Sequence, residues 1–130
     1  MDDERFQRGL ATLGRLDPQG WEYLQNGLED IAPDLARHAV EFAFGDILSR
    51  PGLDLKSREI ATLAALTALG HAIPQLEWHV GAALNVGLSR QEVVEVIMQM
   101  AVYAGFPASL NAMQAARRVF AQRDQEGRQP

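Results

Sequence analysis

The chain has 130 residues, no cysteine and a formal net charge of −5 at pH 7, and 47% of its residues are hydrophobic. This length and composition are typical of a single folded domain, and the lack of cysteine excludes disulfides, thiolate metal sites and cysteine nucleophiles. The acidic charge argues against a nucleic-acid partner, and no apolar run is long enough to span a membrane. Because the charged start MDDERFQRGL is unlike a signal peptide, we expect a cytoplasmic protein.

No segment alternates apolar and polar residues as a strand does, so we expect an all-α domain, a bundle of six to seven helices. The predicted helices are 3–13, 18–31, 33–48, one from residue 55 or 57 to Gly70, 74–87, one capped by Ser89, and 108–122. Ser89 and Glu92 have the spacing of a capping box. We predict one domain over residues 1–130, with a core over 33–122 and a frayed tail over 123–130.

Two of these helices are more apolar than a surface helix needs to be. The fourth has no charged side chain from Ile60 to Leu69, and a helix that is apolar all round is expected to be buried all round. The sixth carries Val93, Ile97 and Val102 and is expected to be deeply buried as well. A subunit of this size cannot cover so much apolar surface alone, which favours a homo-oligomer.

Glu59 and His79 are the one pair of residues in the sequence that points to chemistry. Glu59 begins the fourth helix and shares a face with Leu63 and Leu66, so it either interacts with the positive helix end or serves as a buried acid or base. His79, on the fifth helix, is either a satisfied core histidine or the partner of Glu59. The three histidines are scattered without HxxxH or HxH spacing, so we predict no metal site.

Other polar residues suggest a binding site for an anion. Three of the twelve cations fall within nine residues: Arg50, Lys56 and Arg58. Glu41 and Asp46 either form salt bridges with the cations of the following loop or line the same pocket. Tyr103, near the end of the sixth helix, is interpreted as a core residue whose hydroxyl needs a partner, and we also retain it as a candidate for substrate binding.

Three motifs occur in order: RPGLxxxxRE from Arg50, HxxxALNxG from His79 and YAGFPAxxNA from Tyr103. The region from Glu41 to Phe120 resembles the carboxymuconolactone decarboxylase family, in its gamma-carboxymuconolactone decarboxylase branch. The resemblance implies a mostly helical subunit that assembles into trimers or hexamers. It also implies decarboxylation of 4-carboxymuconolactone, a small lactone carboxylate, to 4-oxoadipate enol-lactone in the protocatechuate branch of aromatic degradation.

A related branch, the alkylhydroperoxidases, carries the pattern E-x12-C-x2-C-x3-H. Glu59 and His79 have the same overall spacing here, but Ala72 and Gln75 stand at the two cysteine positions. Thiol peroxidase activity needs a thiolate, so that activity is excluded. Two positions also depart from the decarboxylase pattern: Leu48, where tryptophan is frequent, and Ser109, in a stretch that is usually rich in alanine.

The reaction implied by the resemblance needs no cofactor, because the lactone carbonyl of the substrate accepts the electrons released with CO2. Arg58, with Arg50, would bind carboxylates. His79 would donate the proton or stabilise the oxyanion, and Glu59 would orient His79 or act as the acid. Two alternatives stay open: a related enzyme for another lactone or β-keto acid, and a catalytically silent oligomeric binding protein.

Overall fold

The chain is helical in a computed structural model that describes residues 3–127, and no strand occurs among these residues. The elements are α1 (Asp3–Leu16), α2 (Gly20–Leu28), α3 (Pro33–His38), a π-helical segment (Ala39–Ile47), α4 (Leu55–Leu69), α5 (Ile73–Asn85), α6 (Arg90–Ala104) and α7 (Phe106–Gln125). The prediction of an all-α fold is confirmed. The chain forms two compact units, one up to Leu55 and one from Lys56 on, and the expectation of a single domain stays a prediction.

In the first unit, α1 packs against the π-helical segment through two glycines. A Cβ atom on Gly9 would lie 2.1 Å from the carbonyl oxygen of Val40, and one on Gly45 would lie 2.5 Å from that of Arg5. Only glycine permits two backbones to approach this closely. The small buried core of the unit includes Leu13, Leu16, Ala36, Val40 and Phe44.

The third predicted helix is a single continuous run of helix, but it changes type after His38. The N–H of Leu48 donates to the carbonyl of Ala43, five residues back, at 2.8 Å, which is the π-helical pattern. Close to this turn, the carbonyl of Gly45 accepts hydrogen bonds from Nε of Arg8 and from the hydroxyl of Ser49. Side chains therefore hydrogen-bond to backbone in the part of the segment where the helix widens.

The second unit has a continuous apolar core built by α4, α5, α6 and α7. Its buried members include Leu63, Leu76, Val80, Ala83, Leu84, Leu88, Val93, Ile97, Ala112, Ala115 and Ala116. The predicted capping box is confirmed: the Ser89 hydroxyl accepts from the N–H of Glu92 at 3.0 Å, and a Glu92 carboxylate oxygen accepts from the N–H of Ser89 at 2.9 Å. Ser109 is buried in a core of alanines because its hydroxyl donates to the carbonyl of Ile97.

The expected all-round burial of α4 and the expected deep burial of α6 are wrong for the single chain. On α4, the face of Leu63 is buried, whereas Ile60 and Leu69 are exposed. On α6, Val93 is buried and Val102 is 77% exposed. Each helix packs one face into the core of its unit and leaves apolar side chains of another face exposed.

The C-terminal helix extends further than the sequence predicted. α7 continues to Gln125, so the first residues of the expected frayed tail are helical, while residues 128–130 lie outside the described residues. Arg123 is buried and donates to the carbonyl of Gly81 at 2.9 Å and to Oδ1 of Asn85 at 2.8 Å. A cation at the C-terminal end of α5 is favourable, which, with these two acceptors, explains how this charged residue is buried.

Candidate active site

The buried face of α4 positions Glu59. The residue lies one turn before Leu63 and two turns before Thr67 on the same side of the helix, and all three side chains are buried. Gly70, with φ of +80°, ends α4 and allows the tight turn into α5. Pro74 stands in the first turn of α5, where its missing N–H is not needed.

His79 comes from α5 and meets Glu59 directly. Nδ1 of the imidazole lies 2.8 Å from Oε1 of the carboxylate. The Glu59 side chain is 0% exposed, and the His79 side chain is 16% exposed. The contact at Nδ1 leaves Nε2 as the ring nitrogen for a further partner, so the pair has the geometry of an oriented acid–base group.

The second carboxylate oxygen of Glu59 is what separates this pair from an ordinary ion pair. Oε2 is buried and has no hydrogen-bond partner among the described residues. Leaving a buried polar atom unsatisfied costs about 1–3 kcal/mol, and more for a charged group. A buried ion pair is itself weak evidence for stability. The pair is therefore not explained by its contribution to stability alone.

Trp78 is a neighbour of the imidazole that the sequence did not reveal. Adjacent helical residues project about 100° apart, so helical spacing alone directs Trp78 away from His79. The indole nevertheless reaches the imidazole, with ring centroids 4.8 Å apart and planes at 82°. Only the size of the indole could have signalled this contact, because the spacing argues against it.

The other predicted site residues of the second unit lie in different surroundings. Arg58 is partly buried, immediately before Glu59 in α4, and its carbonyl accepts the hydroxyl of Thr62 at 2.9 Å. Tyr103 is 78% exposed, so its interpretation as a core residue is wrong. It lies in the last turn of α6, on the face that the core does not use.

Glu41, Asp46 and Arg50 belong to the first unit. Glu41 accepts from Nε of Arg37 at 3.1 Å, and Asp46 accepts from Arg5 at 2.8 Å. Both carboxylates thus form salt bridges, but with arginines that precede them in the chain, whereas the interpretation placed their partners in the following loop. Arg50 is exposed, and the substrate-binding roles of Glu41 and Arg50 stay predictions.

Asp46 shows the electrostatic effect of such pairing. Hydrogen bonding and charge from Arg5, with a smaller contribution from Arg8, hold the pKa of this carboxyl below its ordinary value of 3.8. Two further surface carboxylates, Glu92 and Asp124, also have lowered pKa values, chiefly because Ser89 and Arg90 respectively hydrogen-bond them.

Neither a metal-binding cluster nor a membrane-spanning helix occurs among the described residues. Within 3–127, no three or more histidine, aspartate or glutamate side chains are grouped so that they could hold a metal ion. No helix in the same range combines the length and the hydropathy needed to cross a bilayer.

The fold and the pair together define an all-α protein with a buried carboxylate beside an imidazole. Residues 33–118 match the model of the carboxymuconolactone decarboxylase family. The chain is 36% identical to a 4-carboxymuconolactone decarboxylase of Acinetobacter baylyi, over 92% of this chain and 89% of the relative. It is 32% identical to an uncharacterised 15.0 kDa protein of Paracoccus denitrificans, over 95% and 92% of the two chains.

A third relative is named for the decarboxylation of a different substrate. It is a nitrosuccinic acid decarboxylase of Metarhizium robertsii, 33% identical over 83% of this chain and 76% of that protein. The chain belongs to the carboxymuconolactone decarboxylase family, which confirms the resemblance seen in the sequence motifs.

Proposed function

We propose that the chain is a cofactor-independent carboxy-lyase that converts 4-carboxymuconolactone to 4-oxoadipate enol-lactone and CO2. Support comes from the family and from two relatives that are named as decarboxylases. The observation that carries the proposal is the buried Glu59 carboxylate 2.8 Å from His79. The protocatechuate branch of aromatic degradation, the cytoplasm and a trimeric or hexameric assembly belong to the same proposal.

The substrate supplies its own electron sink. The bond between the ring carbon and its carboxylate breaks, CO2 leaves, and the electron pair moves through the adjacent C=C bond onto the lactone carbonyl oxygen. The resulting dienolate takes one proton at the carbon next to that carbonyl, which gives the enol-lactone. The protein must therefore bind two carboxylates, stabilise a developing oxyanion and supply one proton.

His79 is the residue that we assign to the proton. Its Nδ1 is held by Glu59, so Nε2–H would face the dienolate and donate, and water would then restore the proton. Glu59 is fully buried and would act through His79, as a positioning residue that also stabilises the imidazolium. This division of roles resembles the aspartate–histidine contact of hydrolytic triads.

The substrate is a dianion, so it needs cations. Arg58, with Arg50, is proposed to bind its carboxylates, since guanidinium groups pair with carboxylates through two parallel hydrogen bonds. Glu41 and Tyr103 remain the proposed polar lining of the binding site. Arg58 and Glu59 are adjacent in α4 and point in different directions, so the guanidinium and the carboxylate cannot face the same point.

The activities for which two of the relatives are named favour a defined substrate class. Nitrosuccinic acid and 4-carboxymuconolactone share one skeleton, in which a carbon carries the departing carboxylate, a CH2–COO⁻ arm and an electron sink. The sink is a nitro group in the first compound and an unsaturated lactone in the second. We therefore propose that this chain recognises 2-substituted succinates, and nitrosuccinate is the second candidate substrate.

The test compares three compounds by CO2 release and lactone absorbance, with the rate without enzyme subtracted. These are 4-carboxymuconolactone, nitrosuccinate, and the lactone in which a methyl group replaces the acetate arm. We expect turnover of the first compound and a large loss of kcat/KM for the third. No turnover of 4-carboxymuconolactone at high enzyme concentration would refute the substrate assignment, and turnover of nitrosuccinate alone would establish the second candidate.

The same samples test the alternative of a silent binding protein. Calorimetric titration with succinate, which has no electron sink, measures binding without chemistry. Binding together with no CO2 release from any of the three compounds would favour the binding protein over the enzyme.

A further inference from the structure

The hydrogen bond between His79 and Glu59 fixes one atom of the imidazole ring. Nδ1 lies 2.8 Å from Oε1 of the carboxylate, and Glu59 is fully buried on the inner face of α4. A contact at one atom sets the position of that atom, but the ring can still tilt about it and carry Nε2 sideways. The direction of Nε2 therefore depends on a second contact to the ring.

The indole of Trp78 supplies a second contact. The two ring centroids are 4.8 Å apart and the planes meet at 82°, which is the edge-to-face arrangement that aromatic pairs prefer. Both rings project from α5, and Leu76 and Val80 of the same helix are fully buried. The backbone that carries the two rings is thus anchored in the core, so a tilt of the imidazole has to break its contact with the indole.

The direction of Nε2 matters because a general acid must lie within hydrogen-bond reach of the atom that it protonates. A misplacement of about 1 Å can cost on the order of 10²-fold in rate. A contact between aromatic rings is weaker than a hydrogen bond to a charged carboxylate. Loss of the indole should therefore lower the rate, but by less than loss of the Glu59 charge.

We propose that Trp78 is a positioning residue, which fixes the tilt of the His79 imidazole and thereby directs Nε2 toward the substrate. This inference rests on the proposed function, in which His79 delivers the proton. The indole acts through the imidazole and does not need to touch the substrate. Leucine in place of Trp78 would still cover the imidazole with apolar atoms, but it offers no ring. The comparison of leucine with phenylalanine therefore separates positioning from simple burial.

The first unit provides a matched contact that does not include His79. The rings of Phe6 and Trp21 have centroids 5.2 Å apart and planes at 82°. Trp21→Leu removes the same kind of edge-to-face contact as Trp78→Leu does. A loss that arises only from lower stability would occur in both variants, whereas a loss of positioning occurs only at Trp78.

The first measurement compares kcat and KM for 4-carboxymuconolactone in Trp78→Leu, Trp78→Phe and Trp21→Leu. We expect kcat to fall about 10-fold in Trp78→Leu with little change in KM, because the geometry of proton delivery is impaired while the substrate still binds. Phenylalanine keeps an aromatic ring beside the imidazole, so Trp78→Phe should recover most of the wild-type kcat. Trp21→Leu should keep the wild-type kcat and lower only the Tm.

The second measurement follows the imidazole itself and needs no substrate. Relaxation of ¹³C at Cε1 of His79, measured both as an order parameter and as relaxation dispersion, detects tilting of the ring on fast and slow timescales. We expect a rigid ring in the wild type, in Trp78→Phe and in Trp21→Leu, and a mobile ring in Trp78→Leu. If the wild type releases no CO2, the proposed function fails, and the motion of the ring still supports or overturns the role of Trp78.

Thermal unfolding followed by circular dichroism confirms that each variant is folded. Trp78→Ala serves as a second non-aromatic variant, because alanine has the highest helix propensity. A wild-type kcat and a rigid ring in both non-aromatic variants would overturn the proposal. So would equal losses of kcat in Trp78→Phe and Trp78→Leu, or the same loss of kcat in Trp21→Leu.

Discussion

Asp46 in the first unit and Glu59 in the second are both carboxylates that contact a basic side chain, yet their surroundings differ. Arg5 donates to both oxygens of Asp46, at 3.0 and 2.8 Å. The Asp46 side chain is 29% exposed. Glu59 has one partner, His79, at 2.8 Å and no exposure. Its other oxygen has no partner among residues 3–127.

The difference shows how to separate a structural carboxylate from a chemical one. Both carboxylate oxygens of Asp46 accept hydrogen bonds, and the side chain is partly exposed to water. Its pairing therefore contributes modestly to stability and leaves no polar atom without a partner. Glu59 bears the cost of burial with incomplete hydrogen bonding, and its partner keeps one ring nitrogen for other contacts. We therefore expect a functional role for Glu59, and only a contribution to stability from Asp46.

The largest expected effect follows from removing the imidazole. His79→Ala should lower kcat for CO2 release by roughly 10²–10⁴-fold, the scale of a lost general acid. His71→Ala, which removes an exposed histidine in the turn before α5, is the matched control and should keep the wild-type rate. A near-wild-type kcat for His79→Ala would remove this residue from the mechanism.

Glu59→Gln keeps the size of the side chain and removes its charge. We expect kcat to fall by about 10²-fold with little change in KM, because the buried carboxylate does not touch the substrate. Glu77→Gln, at a residue of α5 that forms a surface ion pair with Arg118 of α7, should leave kcat unchanged. A raised KM with an unchanged kcat for Glu59→Gln would assign Glu59 to substrate binding instead of positioning.

The close packing in the first unit is expected to affect stability alone, in contrast to the effects on kcat expected at Glu59 and His79. Gly9→Ala would place a Cβ atom 2.1 Å from a backbone oxygen of Val40, which no side-chain rotation can relieve. We expect a loss of about 3 kcal/mol or more in the free energy of unfolding, measured with urea.

Gly14→Ala is the control on the same helix, since nothing lies within 4 Å of its Cβ position. Alanine at this site should stabilise α1 by about 0.5–1 kcal/mol. If Gly9→Ala were as stable as Gly14→Ala, the close approach of α1 and the π-helical segment would be wrong.

The smallest effect concerns Asp46 and its pH dependence. Because the folded-state pKa lies below 3.8, the pairing with Arg5 stabilises the fold above that pH and is lost as the pH falls through the folded value. Asp46→Asn should therefore have a lower Tm at neutral pH and a shallower decline of Tm below about pH 4. Asp30→Asn, at an exposed turn, is the control, and equal acid profiles for wild type and Asp46→Asn would contradict this account.

The sequence predicted the helices, and it gave the pairing of Glu59 with His79 as one of two alternatives, because local signals bear on both. Ser89 with Glu92, and Gly70 before Pro74, mark helix ends by their own chemistry. Apolar residues at helical spacing place Glu59 on the buried side of α4. The spacing to His79 also follows a pattern known from a related branch of the family.

Features that depend on tertiary contacts were not predictable in this way. The π-helical turn at Leu48 depends on packing against α1, and the buried position of Arg123 depends on acceptors on α5. Tyr103 and Val102 are hydrophobic residues of the kind found in a core, yet they lie on the side of α6 away from the core. Hydrophobicity predicts that a surface will be covered, but it does not say whether the same chain covers it.

The central claim is that His79, oriented by Glu59, delivers the proton that completes decarboxylation. Reaction of 4-carboxymuconolactone in D2O, followed by hydrolysis to 4-oxoadipate, places deuterium on the carbon that was next to the lactone carbonyl. A proton from a fixed imidazole predicts a single configuration at that carbon with the wild-type protein and a mixture with His79→Ala. A racemic product from the wild type would show that the proton comes from bulk water and would contradict the account.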